Sequence, residues 1–197
     1  MSSPILWVAM ETTGVGEGGD FSAALPTEIS TLVTSQDFEP LGGSSDAVTL
    51  TKAHAKVLKA NPEALQFLKA RGAIHTGETF TLDQIEDDIL AMLEDLGIEK
   101  GRVMVAGRGA AHFLLPVIQT HMPRLADFVA FYSLDTSQMT RWMRVTDSTD
   151  RLRSHRVKAP GVVPLLKSMH GSTRDTLREV LTEALQFRAV MRGTDDA

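Results

Sequence analysis

The chain opens on Ile5-Leu6-Trp7-Val8-Ala9-Met10, an unbroken apolar run of the kind that forms a strand, and this run leads directly into Glu11-Thr12-Thr13-Gly14. A carboxylate at the end of such a strand is a poor structural choice, so Glu11 reads as part of a site. Side chains two apart on a strand share a face. The partner position of Glu11 is therefore Ala9, which brings no chemistry of its own.

The 197 residues suffice for one well-packed domain, expected to span 1–197. The absence of cysteine excludes disulfides, thiolate catalysis and thiolate zinc sites, and it fits a reducing compartment. No apolar run approaches the ~20 residues of a membrane span, and Met1-Ser2-Ser3-Pro4 is no signal peptide. A cytoplasmic protein with no membrane partner is expected. A formal charge of −5 argues against a general duplex-DNA binder. Locally the balance reverses: Arg141, Arg144, Arg151, Arg153, Arg156 and Lys158 face only Asp147 and Asp150 over that stretch. Such a patch suits a short or single-stranded phosphate backbone, with an ordinary solvated surface as the plainer reading.

The apolar pattern predicts a strand over 4–10, a glycine-rich turn over 14–19, and strands over 28–34 and 47–50, together an antiparallel meander. Thr81 with Gln84 forms a capping box opening a helix whose stripe is Leu82, Ile85, Ile89, Met92, Leu93 and Leu96, closed by Gly97. A strand over 102–106, a helix over 110–121 kinked at Pro116, and a strand over 128–134 follow. The last helix carries Leu177, Val180, Leu181, Ala184 and Leu185, with Gly193 past its end. Three strands, helices, then strand-helix-strand-helix make a mixed α/β sheet. Gly14, Gly16 and Gly19 fit G-x-G-x-x-G, but 21–26 opens no helix, which argues against a dinucleotide site. Glu86-Asp87-Asp88 reads as a solvated charge run, and His54, His75, His121 and His155 stand isolated.

The E-T-T-G after an apolar strand, the Glu28-Ile29 strand, the Met122-Pro123 turn, Leu134-Asp135-Thr136-Ser137, and His170 five residues before Asp175 at the last helix occur in a familiar order. The chain resembles the DEDDh 3′→5′ exonucleases, and within them the oligoribonucleases. The resemblance implies a ribonuclease H-like, mixed five-stranded sheet flanked by helices, dependence on Mg or Mn, and a homodimer. It implies short single-stranded RNA or DNA as partner, with Thr12, Thr13, Arg108, Arg141, Arg144, Arg153 and Arg156 as candidate contacts. It makes His170 the general base, Glu11 a catalytic metal ligand and Asp175 a second ligand.

Two ligand positions depart from the family pattern. The first motif, D-x-E-T-T-G in the family, has Ala9 for its Asp. The second falls in Ala106-Gly107-Arg108-Gly109-Ala110-Ala111-His112-Phe113, which holds no carboxylate, and the Asp position lands on His112 or Phe113. Two-metal hydrolysis holds ions about 3.5–4 Å apart; four carboxylates would balance them, whereas Glu11 and Asp175 supply two. Imidazole suits Zn or Ni better than Mg, which leaves His112 a narrow role. The resemblance therefore implies an impaired or inactive homologue that retains binding of nucleic acid or of a protein partner. The alternative is an active exoribonuclease in which Ala9 is an engineered inactivating substitution, and the empty second motif argues against it. Ser172-x-x-Asp175 also reads as a plain capping box. Between Phe38 and Phe67 there is no aromatic residue, so the base-wedging contact of oligoribonucleases, worth ~1–3 kcal/mol per stacked base, is expected to be missing.

Overall fold

The computed structural model describes residues 3–14, 20–145, 166–167, 169 and 171–192. Strand β1 (Ile5–Thr12) pairs antiparallel with β2 (Pro26–Thr34), and β2 pairs antiparallel with β3 (Pro40–Ala47). On its other side β1 runs parallel to β4 (Met104–Gly107), which runs parallel to β5 (Ser133–Asp135). The five strands take the order β3-β2-β1-β4-β5, the mixed five-stranded α/β sheet expected.

The uninterrupted apolar run of β1 follows from its central place, because both of its faces are covered. Leu6, Val8 and Met10 pack toward helix α3 (Leu82–Asp95) and helix α4 (Leu115–His121), against Ile85, Ile89, Val117 and Ile118. Ile5, Trp7 and Ala9 pack the opposite way, against Leu177, Val180, Leu181 and Ala184 of the last helix (Ser172–Arg192). Trp7 is fully buried and its indole Nε1 donates to Thr34 Oγ1 at 2.9 Å, so its one polar atom is satisfied.

Helix α3 starts where the capping box places it: Thr81 Oγ1 accepts from the Gln84 amide at 3.2 Å while Gln84 Oε1 accepts from the Thr81 amide at 2.9 Å. The third strand lies earlier than 47–50. It contains Gly42-Gly43-Ser44-Ser45, which carry little β signal, and packing explains the small residues. A Cβ on Gly42 would meet Met92 Sδ at 3.2 Å, and one on Gly43 would stand 2.6 Å from both Met169 Cε and the Thr31 carbonyl.

The stretch from 50 to 79 holds helices α1 (Lys52–Ala60) and α2 (Pro62–Arg71), which the apolar pattern does not announce. Residues 110–121 divide into a π turn (Ala110–Leu114) and α4, with Pro116 in the first helical turn, where its missing N–H costs nothing, and not at a kink. The strand expected over 128–134 is confined to β5; helix α5 (Pro123–Phe128) takes up Phe128. Asp135 and Thr136 then pass directly into helix α6 (Thr136–Val145), and Ser172–Arg192 is α7.

Glu86-Asp87-Asp88 is solvated only in part: Asp87 and Asp88 are exposed, whereas Glu86 is buried. Glu86 is 1% exposed; its Oε1 accepts from the Leu125 amide at 2.8 Å and its Oε2 from Arg124 Nε at 2.9 Å, while Asp87 pairs with the same guanidinium. The run ties α3 to α5.

Candidate functional site

Register places Glu11 directly across from Glu28, so two carboxylates on one sheet face point at the same space. Like charges in that relation repel, and each is neutralised by a different device.

Glu28 is buried and caps the N-terminus of α7. Its Oε1 accepts from the Thr173 amide at 2.6 Å and from Thr173 Oγ1 at 2.5 Å, its Oε2 accepts from His75 Nε2 at 2.8 Å, and Ser172 Oγ lies 3.5 Å from both oxygens. A carboxylate satisfying the first amides of a helix is favoured by hydrogen bonding and by the helix dipole. Gly171 stands at φ +88°, and a Cβ there would collide with the Glu28 carboxylate. The capping-box reading of Ser172 and Asp175 is thereby corrected. Ser172 turns its hydroxyl to Glu28, and Asp175 holds Arg174 Nη2 at 3.1 Å and Arg178 Nη2 at 3.8 Å.

Glu11 meets a cation from α2. Arg71 Nε lies 2.8 Å from Glu11 Oε1, and Arg71 Nη2 donates to Thr176 Oγ1 at 3.0 Å and to the Ser172 carbonyl at 3.4 Å. Burial pushes the Glu11 carboxyl above its ordinary range; Arg71 pulls it back, Glu28 adds to the rise, and a hydrogen bond from Ser172 opposes it. The same guanidinium lies over the ring of Phe67, 5.6 Å from its centre. Phe67 is 55% exposed and places an aromatic ring on the helical segment after the third strand, at the end of the aromatic-free stretch. Arg71, Gly171, Ser172, Asp175, Arg178 and Glu179 line an open cleft of about 360 Å³.

The other predicted site residues fall elsewhere. Ala9 is buried in the apolar cluster under α7 and opposes Ser30, whose Oγ bonds Thr173 Oγ1 at 2.6 Å. His112 is exposed, with Nδ1 3.6 Å from Asp135 Oδ2, and Asp135 Oδ1 accepts from the Gly109 and Ser137 amides. Phe113 stacks edge-on against Phe21, 5.4 Å between centres. Neither is paired with Glu11 or Asp175. Thr13 is buried and bonds Leu25 through backbone and side chain, and Thr12 Oγ1 accepts from the Gly14 amide. Arg108 is engaged with α7, 2.8 Å from Glu183 and 3.5 Å from Glu179. Arg141 is exposed on α6. The side chain of Arg144, and all of Arg153, Arg156 and His170, lie outside the described residues.

Among the described residues no three His, Asp or Glu side chains converge as a metal-ligating group. The carboxylates that would start one are taken: Glu11 by Arg71, Asp175 by Arg174 and Arg178, Glu28 by His75 and the α7 amides. Among the described residues this donor set does not fit a two-ion site.

By sequence, no family model and no curated protein matches the chain. By structure, it is similar to E. coli exonuclease I in complex with a dA16 oligonucleotide (TM-score 0.58, 12% identity), covering 95% of this chain and 41% of that one. It is also similar to the zinc-ion-bound form of the E. coli exonuclease I complex with single-stranded DNA (TM-score 0.55, 14% identity, 96% and 41% covered). A third neighbour is S. pombe Pop2p in its Mg²⁺- and Mn²⁺-bound form (TM-score 0.51, 12% identity, 98% and 86% covered). The chain thus spans about two fifths of the length of the exonuclease I chains. At these identities the likeness is one of fold: an exonuclease-type, ribonuclease H-like α/β sheet.

Proposed function

We propose that this chain is an oligoribonuclease-like protein that binds the ends of short single-stranded nucleic acid at the cleft beside Glu11, and that metal-dependent hydrolysis there is impaired. The observation that carries this reading is the 2.8 Å pair between Arg71 and Glu11. A side-chain cation stands where the first-motif carboxylate would otherwise attract a divalent ion, while Ala9 contributes nothing to such an ion.

Binding is supported by what remains around the cleft. Arg71 and Arg178 line it, and guanidinium groups recognise phosphate without a metal. Phe67 beside Arg71 offers a face on which a base can stack, a contact tolerant of sequence. The exonuclease fold, in neighbours described with bound oligonucleotides and single-stranded DNA, fits that use.

The test is a labelled five-nucleotide RNA followed by fluorescence anisotropy and by gel. Binding is expected in EDTA at the same strength as in Mn²⁺. Turnover is expected to fall at least ~10²-fold below that of an intact relative, since even outer-shell losses around a metal cost ~10–100-fold. Rapid Mn²⁺-dependent release of mononucleotides that disappears in Glu11→Gln would overturn the reading.

A further inference from the structure

We propose that residues 50–79 form a hinged flap latched shut over the carboxylate end of β1, with the Arg71–Glu11 and His75–Glu28 pairs as its latch. The two ends of this excursion meet. Val48 and Phe80 form a bridge in which the Thr49 amide donates to the Phe80 carbonyl at 2.8 Å and the Phe80 amide to the Ala47 carbonyl at 2.9 Å, and Thr49 Oγ1 bonds Thr79 Oγ1 at 3.0 Å. Everything between leaves and returns through one clasp, which is the geometry of a hinge.

The flap carries its own small core. Leu58, Leu68 and Ala73, with Ala64, Leu65 and Ile74 against them, form a cluster separate from both cores of the sheet. Beside the close approach of Gly14 to Asn61 and Ala64, polar contacts fasten the flap to the body. His54 Nε2 donates to the Pro26 carbonyl at 2.9 Å near the hinge, and at the far end stand Arg71 on Glu11, Ser172 and Thr176, and His75 on Glu28. A unit of two short helices, held by a small apolar cluster and docked by one ion pair and a few hydrogen bonds, can part from the body without unfolding the sheet, because water replaces each docking bond, and once undocked its helices, of 9 and 10 residues, fray. Segments of this kind open locally, well below the free energy of global unfolding.

The latch residues are also the residues of the candidate site. The closed flap occupies Glu11 with Arg71 and Glu28 with His75, an autoinhibitory contact, and opening frees Arg71 beside the already exposed Phe67. That last step rests on the nucleic-acid reading of the cleft; the hinge does not.

Hydrogen exchange read by mass spectrometry on the whole chain tests the hinge, comparing the parent with Arg71→Gln, His75→Gln and the double variant. Amides of 52–71 are expected to exchange at least ~10-fold faster in the double variant, while those of α3 and of β1 and β2 stay within about 2-fold. Unchanged exchange in 52–71, or acceleration shared equally with the sheet, overturns the proposal. Because the chain has no cysteine, spin labels at Gln66→Cys and Glu94→Cys report the flap-to-body distance directly. That distribution is expected to broaden in Arg71→Gln and to shift when the five-nucleotide RNA is added. Broadening with no RNA bound at any concentration keeps the hinge and refutes the nucleic-acid reading. RNA bound with an unmoved distribution in every variant refutes the hinge and keeps that reading.

Discussion

Replacing Glu28 with alanine removes one buried side chain that four groups use, and the cost can be worked from the geometry. The Thr173 amide and hydroxyl lose an acceptor at 2.6 and 2.5 Å, and His75 loses its partner at 2.8 Å. Loss of a helix cap costs about 1 kcal/mol, and a buried donor left unsatisfied costs about 1–3 kcal/mol. Relief of repulsion with Glu11 returns a fraction of this, which leaves a net destabilisation of about 2–4 kcal/mol. For a chain of 197 residues that corresponds to a drop in Tm of roughly 5–15 °C. Glu28→Gln keeps an oxygen for Thr173 but turns an NH₂ toward His75, and about half the loss is expected. Asp175→Asn should cost under about 0.5 kcal/mol, since Asp175 is half exposed and its arginine pairs lie at the surface. Urea titration followed by circular dichroism measures all three. The cap assignment fails if Asp175→Asn costs as much as Glu28→Ala, because the capping role would then belong to the residue the sequence motif indicates.

Asp46 supplies a pH prediction. Burial pushes its carboxyl up, a hydrogen bond from Ser44 lowers it and the charge of Asp88 raises it again, while Oδ2 is buried without a partner. With the folded pKa above the unfolded value near ~4, ionisation costs folded-state stability above the folded pKa and nothing below about pH 4. Asp46→Asn should therefore stabilise on the order of 1 kcal/mol at pH 7, with the gain vanishing toward pH 4; a Tm difference independent of pH would contradict this. Arg124→Ala leaves buried Glu86 with the Leu125 amide alone and should cost about 1–3 kcal/mol by denaturant titration, against under about 0.5 for Lys100→Ala, whose partner Asp127 is exposed. Ala9→Asp should lower stability by at least about 1 kcal/mol, since it buries a second carboxylate beside Glu11 in an apolar cluster, and should restore no Mn²⁺-dependent cleavage; full activity from that single change would show that only Ala9 was missing.

Much of the sheet is legible because β1 and β2 bury both faces and show it in composition, and α3 because its capping box is local. β3 is hidden: its glycines are dictated by Met92 and Met169 closing on Gly42 and Gly43, and its serines bond Thr31 and Ser30 of β2, tertiary demands with no local pattern. Helices α1 and α2 bury little, with His54 and Leu58 the buried residues of the first and Leu68 of the second. The apolar periodicity of α2 is weak, although Asn61, whose Oδ1 accepts from the Ala64 amide at 3.1 Å, with Pro62 and the left-handed Gly72, is readable punctuation. In the site, Glu11 is conspicuous as an acid at the end of an apolar run. Arg71 and His75 arrive from distant segments with no spacing to announce them, and Glu28 acquires its role only from the register that sets it opposite Glu11.

On the proposed reading, that register explains how the site can persist without a full set of ligands. Two facing carboxylates at the end of a buried strand pair are unstable unless something positive lies between or around them. A divalent ion is one solution. This chain uses two others at once: a helix N-terminus, whose Thr173 amide and hydroxyl bind Glu28, and a guanidinium, which binds Glu11 from a separately packed helix pair. The first is firmly seated, since α7 packs on residues of β1, β2 and β4. The second is detachable, since Arg71 gives up one ion pair and two hydrogen bonds when it leaves. An aspartate at position 9 would raise the negative charge that Arg71 must offset while Arg71 still holds Glu11. Recovery of a metal site on this scaffold therefore requires removal of Arg71 as well as new carboxylates. An Ala9→Asp/Arg71→Ala pair should bind Mn²⁺ measurably in calorimetry where neither single change does.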